Sequence, residues 1–536
     1  MIKDGRIWIG KNEAGGDIFL NPGMANRHGL IAGATGTGKT VSLKVLAEGF
    51  SELGVPVFLA DVKGDLAGLC VPGEDSPDMK ERIERFGLAG AGFRYESCPV
   101  TFWDLYGKNG IQLRSTISEM GPVLLSRILG LNDLQADLLN ITFKIADDEG
   151  LLLIDTKDLK SMLNYVSDNS KEFAADYGNI SKVSIAAIIR ALVSLEMKGG
   201  DVFFGEPALY VQDLLSMGEG GRGMIHVLDS QSLIQDASLY STFLLWLLSE
   251  LFEALPEVGD LEKPKLVFFF DEAHLLFGSA SKALLEKIEQ VVKLIRSKGV
   301  GVYFVTQNPR DIPDGVLSQL GNKIQHALRA YTPADQKAVR AAAESFRENP
   351  DFDTYEAIMA LGTGEAVVSF LGDDGVPEIA QRAAILPPET GFGGISASLR
   401  EDKIRQSAFH ARYAESEDPD SAYEFLKRRG VEEEEAREAE KAAAEEEKQR
   451  AKQEEADRKA REKEEAKRAR EAEKEKEKDE RRRKQAAKSV GNTVAGTVGR
   501  EVGKQVGKGF GSFGKTLGGN MGASIGRGIM STLFKF

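Results

Sequence analysis

One eight-residue stretch constrains the fold of this chain more than any other feature. The stretch is Gly33-Ala34-Thr35-Gly36-Thr37-Gly38-Lys39-Thr40, which matches the phosphate-loop pattern G-x-x-x-x-G-K-[ST]. It follows a predicted strand, residues 28–32, and opens a predicted helix, residues 40–53. Glycines let the backbone N–H groups of such a loop turn inward, and the helix N-terminus adds the positive end of its dipole. We therefore expect these eight residues to bind nucleotide phosphates, with Lys39 reaching the β- and γ-phosphates and Thr40 coordinating Mg²⁺.

Two carboxylates follow a second apolar strand. Residues 266–270 read Leu-Val-Phe-Phe-Phe, and Asp271 and Glu272 come directly after them. A strand that ends in two acids matches a Walker B element, in which Asp271 would hold Mg²⁺ and Glu272 would position and deprotonate the attacking water. The alternative is a helix N-cap followed by an acid that the helix dipole favours. The presence of a phosphate loop in the same chain favours the catalytic interpretation.

Two weaker candidates lie close to these motifs. Gln307 follows the predicted strand 302–306, where an amide can contact the γ-phosphate or the lytic water; the alternative is ordinary turn chemistry at the following Asn-Pro step. His274 lies two residues after Glu272, where it could sense the state of the nucleotide, although a structural histidine is the stronger interpretation.

The rest of the first 430 residues alternates strand-like and helix-like segments. Short β-branched or aromatic runs predict buried parallel strands, and helical patterns lie between them, as in an α/β fold with a mainly parallel sheet. The predicted strands are residues 28–32, 56–60, 224–228, 266–270, 302–306 and 366–370, and the predicted helices are residues 40–53, 238–254, 282–298 and 333–343. Residues 71–222 break this rhythm with four helical patterns, which predict a mostly helical insertion: residues 117–129, 134–146, 159–166 and 181–197.

Composition divides the 536 residues into three regimes and excludes several classes of protein. The hydrophobic share of 42% is enough for a sizeable core, and two cysteines exclude a disulfide framework. No apolar run approaches the length of a membrane-spanning helix, so we expect a cytoplasmic protein. The net charge is −14; residues 431–488 hold 20 basic and 21 acidic side chains and residues 489–536 hold six and one, so residues 1–430 carry −18. That acidic body argues against indiscriminate coating of nucleic acid but leaves room for a locally basic channel.

Residues 431–488 consist almost entirely of Glu, Lys, Arg and Ala. They resemble a coiled coil in composition but lack the apolar a and d positions that one needs. These residue types are strong helix formers, and many opposite charges stand four residues apart. The segment therefore predicts a solvated single helix or a charged linker, with plain disorder as the alternative.

Residues 489–536 contain a glycine repeat. Eight glycines recur at four-residue steps with a single three-residue step, and each follows an apolar residue: Gly499, Gly503, Gly507, Gly511, Gly514, Gly518, Gly522 and Gly526. On a helix this spacing keeps one face of small and apolar residues nearly aligned, which permits close contact with another helix. Because glycine weakens a helix, we expect this one to form only against a partner such as another copy, an unknown protein or an anionic membrane surface. The alternative is a flexible tail.

Together these motifs resemble the HerA-like branch of the HerA/FtsK P-loop ATPases. The resemblance is carried by the phosphate loop, the Asp271-Glu272 pair, the stretch Leu294-Ile295-Arg296-Ser297-Lys298-Gly299-Val300-Gly301, the stretch Val305-Thr306-Gln307, and Asp61-Val62-Lys63-Gly64-Asp65 after the second strand. It covers about residues 1–400 and is least specific over residues 71–222. It implies a RecA-like core in residues 1–70 and 223–400, with residues 401–430 as a linker or short helices.

The resemblance also implies an activity and an assembly. It implies a hexameric ring that binds ATP and Mg²⁺ and hydrolyses ATP between subunits, with Arg296 as an arginine finger on the neighbouring nucleotide. The alternative for Arg296 is an ordinary residue on a surface helix. Arg329, after the strand-like residues 323–328, is a second candidate contact to the nucleotide; the alternative is an ordinary surface arginine. Archaeal members carry a β-barrel before the phosphate loop, but only about 30 residues precede it here, so we expect the barrel to be absent or reduced to a hairpin of residues 5–9 and 17–20.

Three functions compete at this stage. The first is a ring motor that translocates double-stranded DNA, for which the DNA is implied by the resemblance alone. The second is a ring ATPase similar to VirB4 that acts on protein or at a membrane, which the acidic body and the glycine repeat favour. The third is a nucleotide-gated scaffold with negligible turnover.

Overall fold

The computed structural model describes residues 1–233, 237–278 and 282–486, within which the chain forms a thirteen-stranded sheet with helices on both faces. Residues 1–426 form one compact unit, and the chain from Lys427 onward forms a second. The glycine repeat of residues 489–536 lies outside the described residues.

The strands, in chain order, are β1 (Ile2–Lys3), β2 (Arg6–Asn12), β3 (Asp17–Leu20), β4 (Gly29–Ala32), β5 (Val57–Asp61), β6 (Val100–Asp104), β7 (Ile111–Gln112), β8 (Ile225–Asp229), β9 (Leu266–Phe270), β10 (Val300–Thr306), β11 (Asn322–His326), β12 (Glu365–Ser369) and β13 (Gln381–Ile385). The helices are α1 (Lys39–Glu52), α2 (Pro77–Phe86), α3 (Ile117–Ile128), α4 (Asp133–Asp148), α5 (Thr156–Asp168), α6 (Ser170–Tyr177), α7 (Lys182–Glu196), α8 (Gly200–Phe203), α9 (Ala237–Ala254), α10 (His274–Gly278), α11 (Lys282–Ile295), α12 (Asp314–Leu317), α13 (Pro333–Glu344), α14 (Thr354–Ala360), α15 (Ala397–Gln406), α16 (His410–Tyr413) and α17 (Ala422–Ala486).

The strand order of the sheet determines where the predicted motifs meet. The order is β1-β2-β13-β12-β11-β4-β10-β9-β5-β8-β6-β7, with β3 paired to β2. All neighbours from β11 to β7 are parallel, and the strands at the other edge pair antiparallel. The segments that follow β4, β10, β9 and β5 therefore emerge side by side at one edge of the sheet.

The sheet is buried on both faces because successive side chains of a strand point to opposite sides. In β9, Leu266, Phe268 and Phe270 pack in one hydrophobic core, while Val267 and Phe269 pack in the other. The first core includes helices of the 71–222 segment together with α9 and α11, and the second includes α1 and the β2–β3 hairpin. An uninterrupted apolar strand such as β9 is what this arrangement requires.

The α/β class with a mainly parallel sheet is confirmed, and so are the predicted strands, each to within two residues. The charged segment is helical as far as Ala486, and residues 5–9 and 17–20 lie in the antiparallel pair β2 and β3. Residues 71–222 hold seven helices but also β6 and β7, which extend the parallel edge of the sheet. The sequence did not predict these two strands: β7 has only two residues, and β6 lies in a segment where helical patterns predominate.

A buried pair of charged residues on α1 fastens a distant part of the chain to the sheet. The carboxylate of Glu48 accepts hydrogen bonds from the backbone N–H groups of Glu389 (3.0 Å) and Thr390 (3.1 Å) and from the Thr390 hydroxyl (2.5 Å). One turn earlier, the Lys44 ammonium donates to the Gly391 carbonyl. Both side chains are almost completely buried, so residues 389–391 are held to α1 by polar contacts inside the core.

The described part of the second unit is the continuation of α17. Ion pairs four residues apart run along it, for example Arg429–Glu433 at 3.0 Å, Lys459–Glu455 at 2.7 Å and Arg468–Glu464 at 3.1 Å. Residues 430–474 are exposed throughout, so this part of α17 has no buried apolar stripe. Its helical state rests on intrinsic propensity and on these pairs.

Among the described residues, no single helix combines the length and apolar character that would be needed to cross a membrane. Within the described ranges, one pair of helices, α6 and α7, reaches that length and composition when taken together, and their axes are bent by 102° at the break between them.

Replacing Glu48 by Ala tests the buried fastening on α1. We expect a loss of about 3 kcal/mol in the free energy of unfolding, because two backbone N–H groups and a hydroxyl lose a buried acceptor and the buried Lys44 loses the nearby charge of Glu48. Chemical denaturation of the full chain measures it, with the exposed Glu84→Ala as the control. A change no larger than that of the control would contradict the assignment.

Candidate nucleotide-binding site

The phosphate loop connects β4 to α1, and backbone hydrogen bonds join it to the ends of the strands on both sides of β4. The N–H of Gly33 donates to the Thr306 carbonyl at the end of β10 (3.3 Å), and that of Ala34 donates to the Ala327 carbonyl just after β11 (2.8 Å). Gly38 has φ +116° and a side chain there would lie 3.2 Å from the backbone of Gly364, so only glycine fits. The neighbouring strand ends thus fix the shape of the loop.

Lys39 lies with its ammonium group inside the loop. Its Nζ donates to the carbonyls of Gly33 (2.6 Å) and Ala34 (3.0 Å), and the residue is 7% exposed. Burial lowers the pKa of Lys39, and the nearby charge of Lys63 lowers it further. The side chain is therefore a poorly solvated cation facing neutral acceptors, and phosphate oxygens would be better partners for it.

Oxygen ligands for Mg²⁺ gather beside the first turn of α1. The Thr40 hydroxyl lies 3.3 Å from Asp65 Oδ2, and Asp65 Oδ1 is buried with no hydrogen-bond partner. Asp271, at the end of β9, is 7% exposed, and burial raises its pKa to about 6. Hydroxyl and carboxylate oxygens are the ligands that Mg²⁺ prefers, and the unpartnered oxygen of Asp65 shows that this set is not satisfied within the protein. The residues present fit the ion.

Glu272 is the centre of a polar cluster. Lys63 Nζ lies 2.5 Å from Glu272 Oε1, Gln307 Nε2 lies 3.4 and 3.3 Å from Oε1 and Oε2, and His274 Nδ1 lies 3.2 Å from Oε2. Burial alone would raise the pKa of Glu272, but the hydrogen bond and charge of Lys63 outweigh it and hold the pKa below its usual value. Glu272 has φ +48°, a strained conformation for a side chain of this type.

Asp61 builds the turn that carries Lys63 and Asp65. Its carboxylate, at the end of β5, accepts from the N–H groups of Gly64 (2.7 Å) and Leu66 (3.1 Å), and Gly64 has φ +78°. Burial, with the charge of Asp65 second, raises the pKa of Asp61 to about 7. Sequence reasoning quoted this Asp-x-Lys-Gly-Asp stretch only for its family resemblance and gave it no role, although two acids and a glycine directly after a buried strand are a usable signal.

His326, at the end of β11, packs against the phosphate loop. Its Nδ1 lies 2.8 Å from the Glu365 carbonyl and must donate, so Nε2 accepts from the Ser42 hydroxyl, also at 2.8 Å. A side chain on Gly33 would come within 2.5 Å of His326 Cβ, so the ring is packed directly against the loop. Burial, the charge of Lys39 contributing, lowers the pKa of His326 to about 4. No local sequence pattern pointed to this residue.

Most of the predicted site residues converge, and one does not. The loop residues, Asp271, Glu272 and Gln307 lie at the same edge of the sheet because they follow parallel neighbouring strands. Arg329 is exposed at that edge, two residues beyond the carbonyl of Ala327 that anchors the loop. Arg296 is exposed in a short 3₁₀ turn just before β10, which places it at the opposite edge, away from the loop of its own chain.

Residues 6–516 match the family described as Helicase HerA-like C-terminal. The DNA double-strand break repair helicase HerA of Sulfurisphaera tokodaii is 25% identical over 381 residues, covering 69% of this chain and 67% of that one. The protein of the same name from Sulfolobus acidocaldarius is 23% identical over 361 residues, covering 66% and 63%. The chain thus spans about two thirds of the length of these relatives.

Among solved structures, the bacterial conjugative coupling protein TrwBdeltaN70 superposes with a TM-score of 0.49 at 15% identity, over 74% of this chain and 92% of that one. That likeness is too distant to carry any conclusion about individual residues.

The pH dependence of the stability of a His326→Gln variant tests whether His326 is neutral and buried in the folded chain. The folded pKa lies near 4 and the unfolded value near 6.5, so the unfolded chain binds a proton that the folded chain excludes, and stability is lost as pH falls between these values. We expect wild type to be more stable than H326Q at pH 7 and this gap to narrow by about 1.4 kcal/mol per pH unit below 6.5. Denaturation midpoints at pH 7 and pH 5 measure the gap.

The partly exposed His410→Gln serves as the control for a general effect of removing a histidine. An equal gap between wild type and H326Q at both pH values would contradict the assignment of a neutral, buried His326.

Proposed function

The chain belongs to the HerA-like helicase family, and from this premise we propose that it is a Mg²⁺-dependent ATPase that works as a DNA-translocating motor. One observation carries the enzymatic part. The phosphate loop after β4, the amide of Gln307 after β10 and the acids after β9 stand side by side at one edge of the sheet. A nucleotide bound at the loop would therefore have a candidate base and a polar amide beside its phosphates.

The binding roles follow from the chemistry of each group. The backbone N–H groups of the loop, Gly33 to Thr40, and the ammonium of Lys39 would hold the phosphates. Thr40 and Asp271 would hold Mg²⁺, which supplies charge neutralisation at the phosphate oxygens when bound. No group of three or more His, Cys, Asp or Glu side chains that could hold a metal occurs in the described part of the chain, which fits an ion bound together with its nucleotide.

Glu272 is the group proposed to orient the attacking water and take its proton. Gln307, in contact with both carboxylate oxygens, is the group proposed to fix the direction of that carboxylate. Arg329, exposed beside the loop anchor, is proposed as a further contact to the nucleotide.

Arg296 supports the proposal of a homo-oligomer. It cannot reach the loop of its own chain from the opposite edge of the sheet, and it is exposed. In a ring it would stabilise charge on the phosphates bound by a neighbouring copy. We propose such a ring, with six copies as the family resemblance implies and with the cytoplasm as its location. Its proposed substrate is double-stranded DNA, since the relatives are named DNA double-strand break repair helicases.

Two substitutions separate binding from hydrolysis. We expect Lys39→Ala to lose nucleotide binding, because it removes the cation inside the loop. Glu272→Gln should retain binding while turnover falls by about 10²–10⁴-fold, because the proton acceptor is lost. Calorimetry and phosphate release on the full chain measure the two effects, with Glu84→Ala as the control. Wild-type turnover by Lys39→Ala would refute the ATPase. Negligible turnover by wild type and Glu272→Gln alike would favour the scaffold, and a substantial turnover that Glu272→Gln leaves unchanged would refute Glu272 as the base.

The DNA substrate is tested by the salt dependence of stimulation. We expect double-stranded DNA to raise ATP turnover several-fold at 50 mM salt and to lose this effect towards 200 mM, because binding to phosphates releases counterions. Steady-state turnover with and without DNA measures it. Turnover that no nucleic acid changes at any salt concentration would instead favour a motor acting on protein or at a membrane.

A further inference from the structure

The carboxylate proposed as the base is bound most closely by a cation of its own chain. Lys63 Nζ lies 2.5 Å from Oε1 of Glu272, the Gln307 amide makes longer contacts of 3.4 and 3.3 Å to both oxygens, and His274 Nδ1, 3.2 Å from Oε2, makes no hydrogen bond within the described residues. The Glu272 side chain is only 6% exposed. A group that takes a proton from water needs a sufficiently basic oxygen that the water can reach. The ion pair with Lys63 covers Oε1 and lowers the basicity of Glu272, so this arrangement does not favour proton transfer.

Lys63 is the cation among the groups around Glu272, and its side chain is partly exposed. Its ammonium makes the shortest contact, at 2.5 Å, while its side chain remains 40% exposed, against a nearly buried Lys39. The backbone beneath it is fixed by the hydrogen bonds of Asp61 to Gly64 and Leu66. Rotation of the four-carbon stem can therefore relocate the charge without a change in the backbone.

The position of Lys63 places it within electrostatic reach of the phosphate pocket. Its positive charge acts on Lys39 inside the loop and on Asp271 beside it. Two ammonium groups that repel each other across a pocket are both attracted to an anion placed between them. A terminal phosphate would thus compete with Glu272 for Lys63.

From these contacts we infer that Lys63 is a nucleotide-sensing positioning residue. Without a terminal phosphate it binds Glu272 and blocks the carboxylate; with a nucleoside triphosphate it binds the γ-phosphate and releases Glu272 to the water. The exchange is one of ionic partners only, and no bond is made or broken in it. The inference rests on the proposed function, because it requires a triphosphate at the phosphate loop.

A double-mutant cycle on the full chain tests this exchange without measuring turnover. The four proteins are wild type, Lys63→Met, Glu272→Gln and the double variant, and calorimetry gives their affinities for the Mg²⁺ complexes of AMPPNP and ADP. Glu272→Gln frees Lys63, so we expect AMPPNP to bind about tenfold more tightly than to wild type. In the Lys63→Met background the same change should alter the affinity less than about twofold.

The ADP affinities distinguish the exchange of Lys63 between Glu272 and the γ-phosphate from general effects of the substitutions on nucleotide binding. ADP has no γ-phosphate, so its affinity should show no coupling between the two positions. Lys63→Arg keeps the charge and should retain coupling, which covers the case in which Lys63→Met misfolds. Lys108→Met, at an exposed lysine after β6 at the same edge of the sheet, controls for the loss of a positive charge.

The outcomes are distinct. AMPPNP affinity that rises equally in both backgrounds would mean that Glu272 simply repels the phosphate, and would overturn the role of Lys63. Equal coupling for ADP and AMPPNP would overturn it as well, since the effect would not concern the terminal phosphate. Failure of wild type to bind either nucleotide would overturn the proposed function, and this inference with it.

Discussion

The position of β10 between β4 and β9 is the constraint on which the rest of the site depends. The three strands are parallel, and β10 is the one strand between the phosphate loop after β4 and the acids after β9. Gln307, at the end of β10, therefore lies between the loop and the acids. Loss of either pairing would move the loop and Glu272 out of register. The apolar character of all three strands is therefore a requirement of the site as much as of the core, since burial on both faces holds this order.

The electrostatics of this edge are unbalanced in the protein alone. Asp61, Asp65, Asp271 and Glu272 lie around two ammonium groups, those of Lys39 and Lys63. The pKa of Asp61, raised to about 7, and that of Asp271, raised to about 6, express first the cost of burying these carboxylates and then the charge of neighbouring acids. A divalent cation would relieve that cost and favour the ionised forms. The carboxylates favour a bound cation and the ammonium groups favour a bound anion. The site therefore suits the two ions together better than either one alone.

The sequence predicted those parts of the fold and site that rest on local signals. A buried strand followed by glycines and Lys39, or by Asp271 and Glu272, can be interpreted within about fifteen residues, and both groups follow the strands predicted for them. The contacts of Lys63 and His326 could not be predicted in this way. Each of these side chains contacts a partner more than two hundred residues away in the sequence, Glu272 for Lys63 and Ser42 for His326. Such pairs follow from the strand order, which periodicity does not determine. Strand β7 was missed because two residues are too few to form a pattern.

The buried fastening on α1 joins two parts of the site that the strand order alone would leave independent. Glu48 and Lys44 hold residues 389–391 against the helix that begins at Lys39. Two residues further on, the Gly393 carbonyl accepts from the N–H of Gly68, just after the turn that carries Lys63. One stretch of chain therefore braces both the phosphate-loop helix and the Lys63 turn. With both backbones fixed, the Lys63 side chain, which is 40% exposed, can still rotate to another ionic partner.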